Sequence, residues 1–403
     1  MIHVLPLLLW LPALLAAAAV VGLVILLAAL DRVFAQAPRL APLPADAPAP
    51  DGLADSLTVV VPAYNEAGRI AACLTSLLAS DPPCSSWRVL LVDDDSSDDT
   101  TAVAQAAAQA SATPWRFSLL AAGPRPVGER WVGKNWACSR AMEQIRSDWV
   151  LFVDADVQLQ PATLRRALVQ ARAEAADLLS LAPRLRCGCL AEWMVQPIIA
   201  SLLGLGFPIA AANDPASPVA FAAGPFMLFR ASSYEAIGGH RALAAEVVED
   251  LALARRIKAG GYRLRYLLGL DAVDLRMYSD FGALWEGWSK NWLLGLDGRV
   301  PRALAAAAVV VVLFSVPWLL APAAAIALLL HPQPVCLWTL VVALLGIGMQ
   351  LALRLWSRER FQMPMRHWWL MGVGGLIVGA IGPTSVWRTL SGRGWTWKGR
   401  PLA

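Results

Sequence analysis

The chain has 403 residues, of which 57% are hydrophobic and 16% are charged, and its formal net charge is +4. Soluble domains carry about 25% charged residues, so this composition indicates a protein that lies at least partly in a membrane. Much of the small basic excess lies beside apolar segments, which argues against nucleic-acid binding.

An apolar run at residues 4–30 has no charged side chain and is long enough to cross a membrane core of about 30 Å once. Because no Lys or Arg precedes this run, we interpret it as an uncleaved anchor and not as a secretory signal. A linker rich in proline and alanine, 36–56, follows and is expected to be a semi-rigid spacer. Three more apolar runs predict about three transmembrane segments within 303–390, before a basic tail, 391–403.

The distribution of arginine predicts the orientation of these segments. The loop 331–334 has no Lys or Arg, whereas arginines flank the other ends of the apolar runs. By the positive-inside rule, the central domain, 57–300, is expected on the cytoplasmic side of a bacterial-type plasma membrane. Scattered cysteines without a CxxC pair agree with a reducing compartment.

The basic tail conflicts with this simple topology. Three crossings after a cytoplasmic domain would place residues 391–403 outside, although they are rich in Lys and Arg. Either the last apolar run is re-entrant, or another run is not a simple crossing.

Within the central domain, apolar strand-like runs alternate with helical stretches. The predicted strands are 57–62, the first part of 87–100, 116–122 and 148–157, and the predicted helices are 67–80, 101–110 and 133–147. This alternation predicts an α/β domain with a mostly parallel sheet that is covered by helices on both faces. In such sheets, ligands bind at the carboxyl ends of the strands.

Two acidic groups follow strands of this domain. In "LFVDADVQL", residues 151–159, Asp154 and Asp156 would project from one face of a strand and repel each other. A divalent cation removes that repulsion, and oxygen ligands suit Mg2+ or Mn2+, which complete their shell with water and a diphosphate. The second group, "VDDDSSDD", is expected at the same edge of the sheet. Each group has the alternative role of a helix cap or a solvated turn.

A third stretch, "GERWVGKN" at 128–135, matches the GxxxxGK spacing of a phosphate-binding loop. However, Asn135 stands where such loops need a Ser or Thr to hold Mg2+, and no strand directly precedes the stretch. We therefore expect no ATPase loop. Lys134, near the start of a helix, can still hold a phosphate as a point charge.

A broken apolar stretch, 190–212, is too polar for a confident crossing. Glu192 and Gln196 interrupt it, as do Pro197 and Pro208. Two interpretations remain open: a helix in the membrane interface beside the site, through which an acceptor arrives, or a buried core helix.

Six ordered stretches resemble the motifs of family 2 glycosyltransferases, which have the GT-A fold. They are "VVVPAYNEAGRI", "VLLVDDDSSDDT", "GKNWACSRA", "LFVDADVQLQPATL", "AAGPFMLFRASSYEAIGGH" and "VVEDLALARRIKAGGYRL". The resemblance covers roughly residues 57–296. It is greatest to the membrane-anchored branch that includes hopene-associated and carotenoid glycosyltransferases, partly because of "GKNWA", "GGH" and the carboxyl-terminal "WKGR".

This resemblance implies an inverting transferase with a site for a UDP- or GDP-sugar. The residues that it places around the donor are Pro62, Ala63, Tyr64, Glu66, Asp93, Asp94, Lys134 and Asp154. Asp94, or its neighbour Asp93, would contact the base, and Lys134 would lie near the diphosphate. Asp154 and Asp156 match the DxD motif that holds the ribose and a divalent metal. Asp250 matches the catalytic base, and Glu249 supports it.

One departure from the family concerns the acceptor. Processive members carry QxxRW after the acidic pair, whereas this chain has "WSKNW", with Trp288 in place of Gln and Asn291 in place of Arg. We therefore expect a single transfer onto a terpenoid, hopanoid or carotenoid-like lipid, with Trp288 and Trp292 in a candidate acceptor region. The alternatives are a processive polysaccharide synthase and a catalytically inactive membrane scaffold that binds nucleotide sugars.

Overall fold

The computed structural model describes residues 10–52 and 55–401. Positions 4–9 of the predicted anchor, 53–54 of the linker and 402–403 of the tail lie outside the described residues. Four described helices are long and apolar enough to cross a membrane, namely Leu11–Ala35, Val300–Leu330, Pro334–Phe361 and Trp368–Leu390. The expectation of apolar helices at both ends of an α/β domain is confirmed.

The helices and strands are numbered in chain order. The helices are α1 (Leu11–Ala35), α2 (Ile70–Leu78), α3 (Thr100–Gln109), α4 (Gly133–Met142), α5 (Thr163–Ala173), α6 (Leu190–Gly206), α7 (Ile209–Asn213), α8 (Ala231–Ala236), α9 (Glu249–Ala259), α10 (Phe281–Gly295), α11 (Val300–Val310), α12 (Val316–Leu330), α13 (Pro334–Phe361) and α14 (Met371–Leu390). The strands are β1 (Ser56–Ala63), β2 (Ser86–Asp93), β3 (Phe117–Ala121), β4 (Trp149–Val153), β5 (Val157–Leu159), β6 (Leu178–Ala182), β7 (Arg184–Leu185), β8 (Phe226–Arg230), β9 (Leu264–Leu268), β10 (Val273–Leu275), β11 (Thr396–Trp397) and β12 (Arg400–Pro401).

The chain forms two compact units. Of the described residues, the sheet unit contains 36–52, 55–186, 207–277 and 398–401. The helical unit contains the described residues 10–35 together with 187–206 and 278–397.

A seven-stranded sheet in the order β3-β2-β1-β4-β8-β6-β9 forms the centre of the sheet unit. All neighbours in it are parallel except that β8 runs antiparallel to both β4 and β6. A small second sheet has the order β5-β10-β7. The predicted mostly parallel α/β sheet is therefore confirmed.

The sheet is buried on both faces, as its continuously apolar strands predict. Alternate residues of β1 belong to opposite hydrophobic clusters: Val59 and Val61 lie in one, and Val60 lies in the other. Side chains of successive strand residues point to opposite faces, so helices must cover both. Because both faces of the sheet are buried, a ligand site is expected at the strand ends and not on a face.

In the helical unit, a short π-helical turn at Val311–Ser315 joins α11 to α12. Pro317 has no N–H to donate to the carbonyl of Leu313, four residues earlier. Gln350 of α13 replaces this donor, because its Nε2 donates to the carbonyl oxygens of Leu313 at 2.9 Å and Phe314 at 3.0 Å. The proline thus fixes a polar cross-link between two apolar helices.

Helix α14 packs antiparallel to α11 and α12 through small residues. The Ser315 hydroxyl donates to the carbonyl oxygen of Gly372 at 2.7 Å. About three turns beyond Gly372, a Cβ added at Gly382 would lie 2.6 Å from Ala307 Cβ. Near the end of α14, the Leu293 N–H donates to the Ser385 hydroxyl at 3.1 Å. Residues later in α14 therefore contact residues earlier in the chain segment 293–315, so the two run in opposite directions.

The polar residues of the 190–212 stretch are buried within the helical unit. The Glu192 carboxylate accepts hydrogen bonds from the backbone N–H groups of Gly188 at 2.8 Å and Tyr278 at 2.9 Å. Gln196 is also buried and accepts from Trp288 Nε1 at 3.1 Å. These contacts favour the interpretation of α6 as a packed helix on this face.

Candidate active site

Four segments bring the candidate residues to one edge of the large sheet. The strands β1, β2 and β4 are parallel, so their carboxyl ends meet there. Because β8 runs the other way, its amino end lies at the same edge. The predicted residues 62–64, 66, 93–94 and 154 lie at the ends of these three strands or directly after them, and the loop before β8 contributes Gly224.

Lys134 joins the acidic turn that follows β4 to the acidic start of α9. Lys134, in the first turn of α4, places Nζ 2.6 Å from Asp154 Oδ1 and 2.7 Å from Glu249 Oε1. Burial alone would lower the pKa of Lys134, but Asp154 and Glu249 raise it well above its usual value. Burial likewise opposes the charge of Glu249, and Lys134 nevertheless holds the Glu249 pKa below its usual value. The lysine and Glu249 are therefore both charged at neutral pH.

The acidic pair that follows β4 lies in a turn and not in a strand. The strand predicted through residue 157 ends at Val153, because the Asp154 carbonyl accepts the Val157 N–H at 3.1 Å and closes a turn. The two carboxylates contact different cations, with Asp156 Oδ2 3.5 Å from Arg69 NH1. Burial, then the charges of Asp154 and Glu66, raise the pKa of Asp156 to about 8.

The chemistry of this pair suits a hard divalent cation. Asp154 and Asp156 offer carboxylate oxygens, which Mg2+ and Mn2+ prefer. Besides burial, the nearby negative charges of Asp154 and Glu66 contribute to the raised pKa of Asp156, and a bound cation would offset them. Among the residues that the structure describes, no three Asp, Glu, His or Cys side chains form a ready metal cage. The rest of the metal shell would therefore consist of water and a ligand such as a diphosphate.

Asp250 begins α9 beside this network. Its carboxylate accepts hydrogen bonds from the backbone N–H groups of Leu251 at 2.7 Å and Gly224 at 3.1 Å. Burial, then the adjacent charge of Glu249, raise the pKa of Asp250 to about 6, although Lys134 opposes the shift. A carboxylate with this pKa is ionised at neutral pH and is still basic enough to accept a proton.

The residues predicted to contact the nucleotide surround the ends of β1 and β2. Tyr64 and Glu66 follow β1, after Pro62 and the buried Ala63. Asp94 is buried and Oδ2 lies 2.7 Å from Arg125 NH2. Burial raises the pKa of Asp94, and Arg125 and Arg400 oppose that shift.

The neighbouring carboxylate differs from Asp94 in its contacts. Asp93 Oδ2 accepts the Ser96 N–H at 3.2 Å, whereas Oδ1 is a buried acceptor without a hydrogen-bond partner. Both aspartates thus remain candidates for the base contact.

In the stretch 128–135, the asparagine that stands in place of a Ser or Thr has a structural role. The buried Asn135 side chain donates to the carbonyl oxygens of Leu243 at 2.6 Å and Glu246 at 2.9 Å, so it ties α4 to the segment before α9. Lys134 pairs with two carboxylates. The sequence departure at position 135 therefore has a structural explanation.

Several residues of the site were missed by sequence reasoning. Arg69, Arg125, Lys398 and Arg400 pair with its carboxylates, and Gly224 packs against Asp250. Gly224 lies in "AAGPF" and the two tail cations lie in "WKGR", so both motifs were visible as family features without a role.

The candidate acceptor tryptophans lie in α10 of the helical unit. Both are buried, and Trp292 Nε1 donates to the carbonyl oxygen of Ala303 at 3.1 Å, as Trp288 donates to Gln196. Both indole N–H groups therefore donate hydrogen bonds to acceptors within the helical unit.

Comparisons with known proteins find similarity to glycosyltransferases. Residues 58–238 match the model of Glycosyl transferase family 2. The chain is 29% identical over 260 residues to a 4,4'-diaponeurosporenoate glycosyltransferase of Staphylococcus aureus strain MRSA252, and 26% identical to that of strain USA300. Each alignment covers 62% of this chain and 64% of the relative, which is less than two thirds of the relative's length.

The fold is similar to that of a solved mannosyltransferase from Pyrobaculum calidifontis in complex with GDP-Man and Mn2+. The TM-score is 0.51 at 17% sequence identity, and the match covers 95% of this chain and 99% of that chain. At this identity the likeness concerns the fold alone, and it supports the GT-A type.

Proposed function

We propose that this chain, whose residues 58–238 match the model of Glycosyl transferase family 2, transfers one sugar from a UDP- or GDP-sugar to a lipid acceptor at the membrane. The observation that carries the proposal is the ion-paired network in which Lys134 joins Asp154 to Glu249, with Asp250 adjacent. Such a network supports a donor site next to a catalytic base. The names of the relatives, which describe a carotenoid-type acceptor, support the lipid.

In the proposed reaction, an acceptor hydroxyl attacks C1 of the sugar while Asp250 takes its proton. The bond between C1 and the diphosphate oxygen breaks on the opposite side, so the configuration at C1 inverts and the nucleoside diphosphate leaves with the bonding electrons. Asp154 and Asp156 would hold Mg2+ or Mn2+, which neutralises the charge of the leaving diphosphate when bound. Lys134 keeps Asp154 and Glu249 in place, and Gly224 orients Asp250 through its N–H.

The direct test uses purified protein in detergent with UDP- and GDP-sugars, Mg2+ or Mn2+, and a bacterial lipid extract. We expect nucleotide release that depends on the lipid, together with a lipid whose mass rises by one sugar. A ladder of products would indicate a processive synthase instead. Nucleotide-sugar binding without turnover of any lipid would indicate an inactive scaffold.

The pH dependence of transfer should report Asp250. Its pKa is raised to about 6, so it is protonated below that pH and unable to accept a proton. With Mg2+ or Mn2+ at saturation, so that the metal keeps Asp156 ionised, we expect kcat/KM to fall about tenfold per pH unit below that value and to be level above it. A profile that is flat between about pH 5 and pH 8 would show that no group of this kind limits the reaction.

We further propose that the sheet unit faces the cytoplasm, because the arginines lie on that side of the apolar helices. A reporter fused after Arg302 should therefore be protected from reagents added to the outside of intact cells. Access to such a reporter from the outer side would reverse the orientation.

A further inference from the structure

The end of the chain returns to the nucleotide end of the candidate site. Lys398 Nζ lies 2.5 Å from Glu66 Oε1, and it donates to the carbonyl oxygens of Tyr64 at 3.0 Å and Asn65 at 2.9 Å. These acceptors all belong to the loop that follows β1. A cation that is 334 residues away in sequence thus fixes this loop.

Arg400 contacts Asp94, a candidate for the base contact, and Tyr64, another of the predicted donor residues. Its NH1 donates to the carbonyl oxygen of Asp94 at 2.9 Å and to Asp94 Oδ2 at 2.8 Å. Its guanidinium carbon lies 4.0 Å from the centroid of the Tyr64 ring. Planar guanidinium groups stack on aromatic rings in this way, and Tyr64 stays half-buried, so part of its side chain remains accessible.

The carboxylates at this end of the site would repel an anionic ligand unless cations of the tail offset their charge. A nucleotide sugar carries a negatively charged diphosphate, and Glu66 and Asp94 are carboxylates beside its expected path. Lys398 neutralises Glu66, and Arg400 shares Asp94 with Arg125. Without the tail, the repulsion between these carboxylates and an anionic donor would rise.

We propose that Lys398 and Arg400 are donor-binding residues, so that the carboxyl-terminal segment forms one wall of the nucleotide pocket. Arg400 holds the Tyr64 ring and Asp94 in the arrangement that receives the base, and Lys398 holds the loop that carries Glu66. This inference rests on the proposed function, since it takes a nucleotide sugar as the ligand.

The test measures the affinity of the purified full-length chain for UDP and GDP in the presence of Mn2+. The double variant Lys398→Ala/Arg400→Ala should bind the preferred nucleotide about 10- to 100-fold more weakly than the unchanged protein. The matched control is Arg393→Ala, which removes a tail cation that stacks on Trp387 at 4.5 Å, and it should leave the affinity unchanged. Thermal unfolding of each variant shows whether the fold is retained.

Charge-preserving variants separate a binding role from a structural one. Lys398→Arg should restore most of the affinity, whereas Arg400→Lys should restore only part of it, because lysine keeps the charge but lacks the planar face. Unchanged affinity in the double variant, with or without a lower unfolding temperature, would make the tail a structural clamp and overturn the proposal. Higher affinity would overturn it too, because the tail would then compete with the donor. Failure of the unchanged protein to bind either nucleotide would instead refute the proposed function.

Discussion

Asp250→Asn should lower sugar transfer by about 10²- to 10⁴-fold while nucleotide affinity stays nearly unchanged. The amide has almost the same shape as the carboxylate but cannot accept the proton of the acceptor hydroxyl. The Asp250 carboxylate accepts hydrogen bonds from two backbone N–H groups. In the variant, one of these donors would face the amide NH2 and lose its acceptor, so a stability loss of about 1 kcal/mol is expected as well.

Transfer to lipid extract and nucleotide binding must both be measured on the same preparation of this variant. The matched control is Asp271→Asn, the same chemical change at an exposed aspartate of the sheet unit. A loss of both transfer and binding would report misfolding. Near-normal transfer by Asp250→Asn would show that the carboxylate is an N-terminal helix charge without a role in proton transfer.

Asp156→Ala is expected to abolish metal-dependent nucleotide binding. Removing one member of a buried charged contact costs about 3 kcal/mol or more, which corresponds to about 10²-fold in affinity. The metal-free protein should not lose stability, because the raised pKa of Asp156, about 8, reflects burial and repulsion by Asp154 and Glu66. At neutral pH the substitution therefore removes a carboxyl group that is largely protonated in the metal-free protein.

Titration of UDP and GDP with and without Mn2+ measures this effect. Asp99→Ala is a suitable control, since Asp99 is exposed, makes no side-chain cap hydrogen bond and lies in the other acidic stretch. If Asp156→Ala retains the normal Mn2+-dependent affinity, the pair does not hold a metal, and the turn that follows β4 is its only role.

The fold was largely predictable because it depends on local patterns. Continuous apolar runs between amphipathic helices predicted a parallel sheet buried on both faces, and Val59, Val60 and Val61 show that burial directly. The antiparallel direction of β8 was not predictable, since strand periodicity does not encode the pairing partner. The strand predicted at 148–157 was too long. Its apolar pattern does not reveal the turn that the Val157 N–H closes by donating to the Asp154 carbonyl.

The acidic half of the site was visible in the sequence, and most of its cationic half was not. Asp154, Asp156 and Asp250 stand at strand or helix ends, where charged residues are recognisable against apolar neighbours. Their cations come from distant segments, as with Arg69 and Asp156, which are 87 residues apart. Such pairs depend on the tertiary fold, so spacing rules cannot find them.

The antiparallel packing of α14 has a consequence for how often the chain crosses the membrane. Its beginning, at Gly372, lies beside Ser315 in the middle of the 300–330 helix, and its end contacts Leu293, which precedes that helix. We infer that the last apolar segment, which contains α14, is re-entrant: it enters the bilayer and leaves it on the same side. Helices 300–330 and 334–361 would then cross the membrane once in each direction, so the number of complete crossings after the sheet unit is even. The basic tail that carries Lys398 would then lie on the same side of the membrane as the sheet unit, as the positive-inside rule predicts from the Lys and Arg residues of the tail.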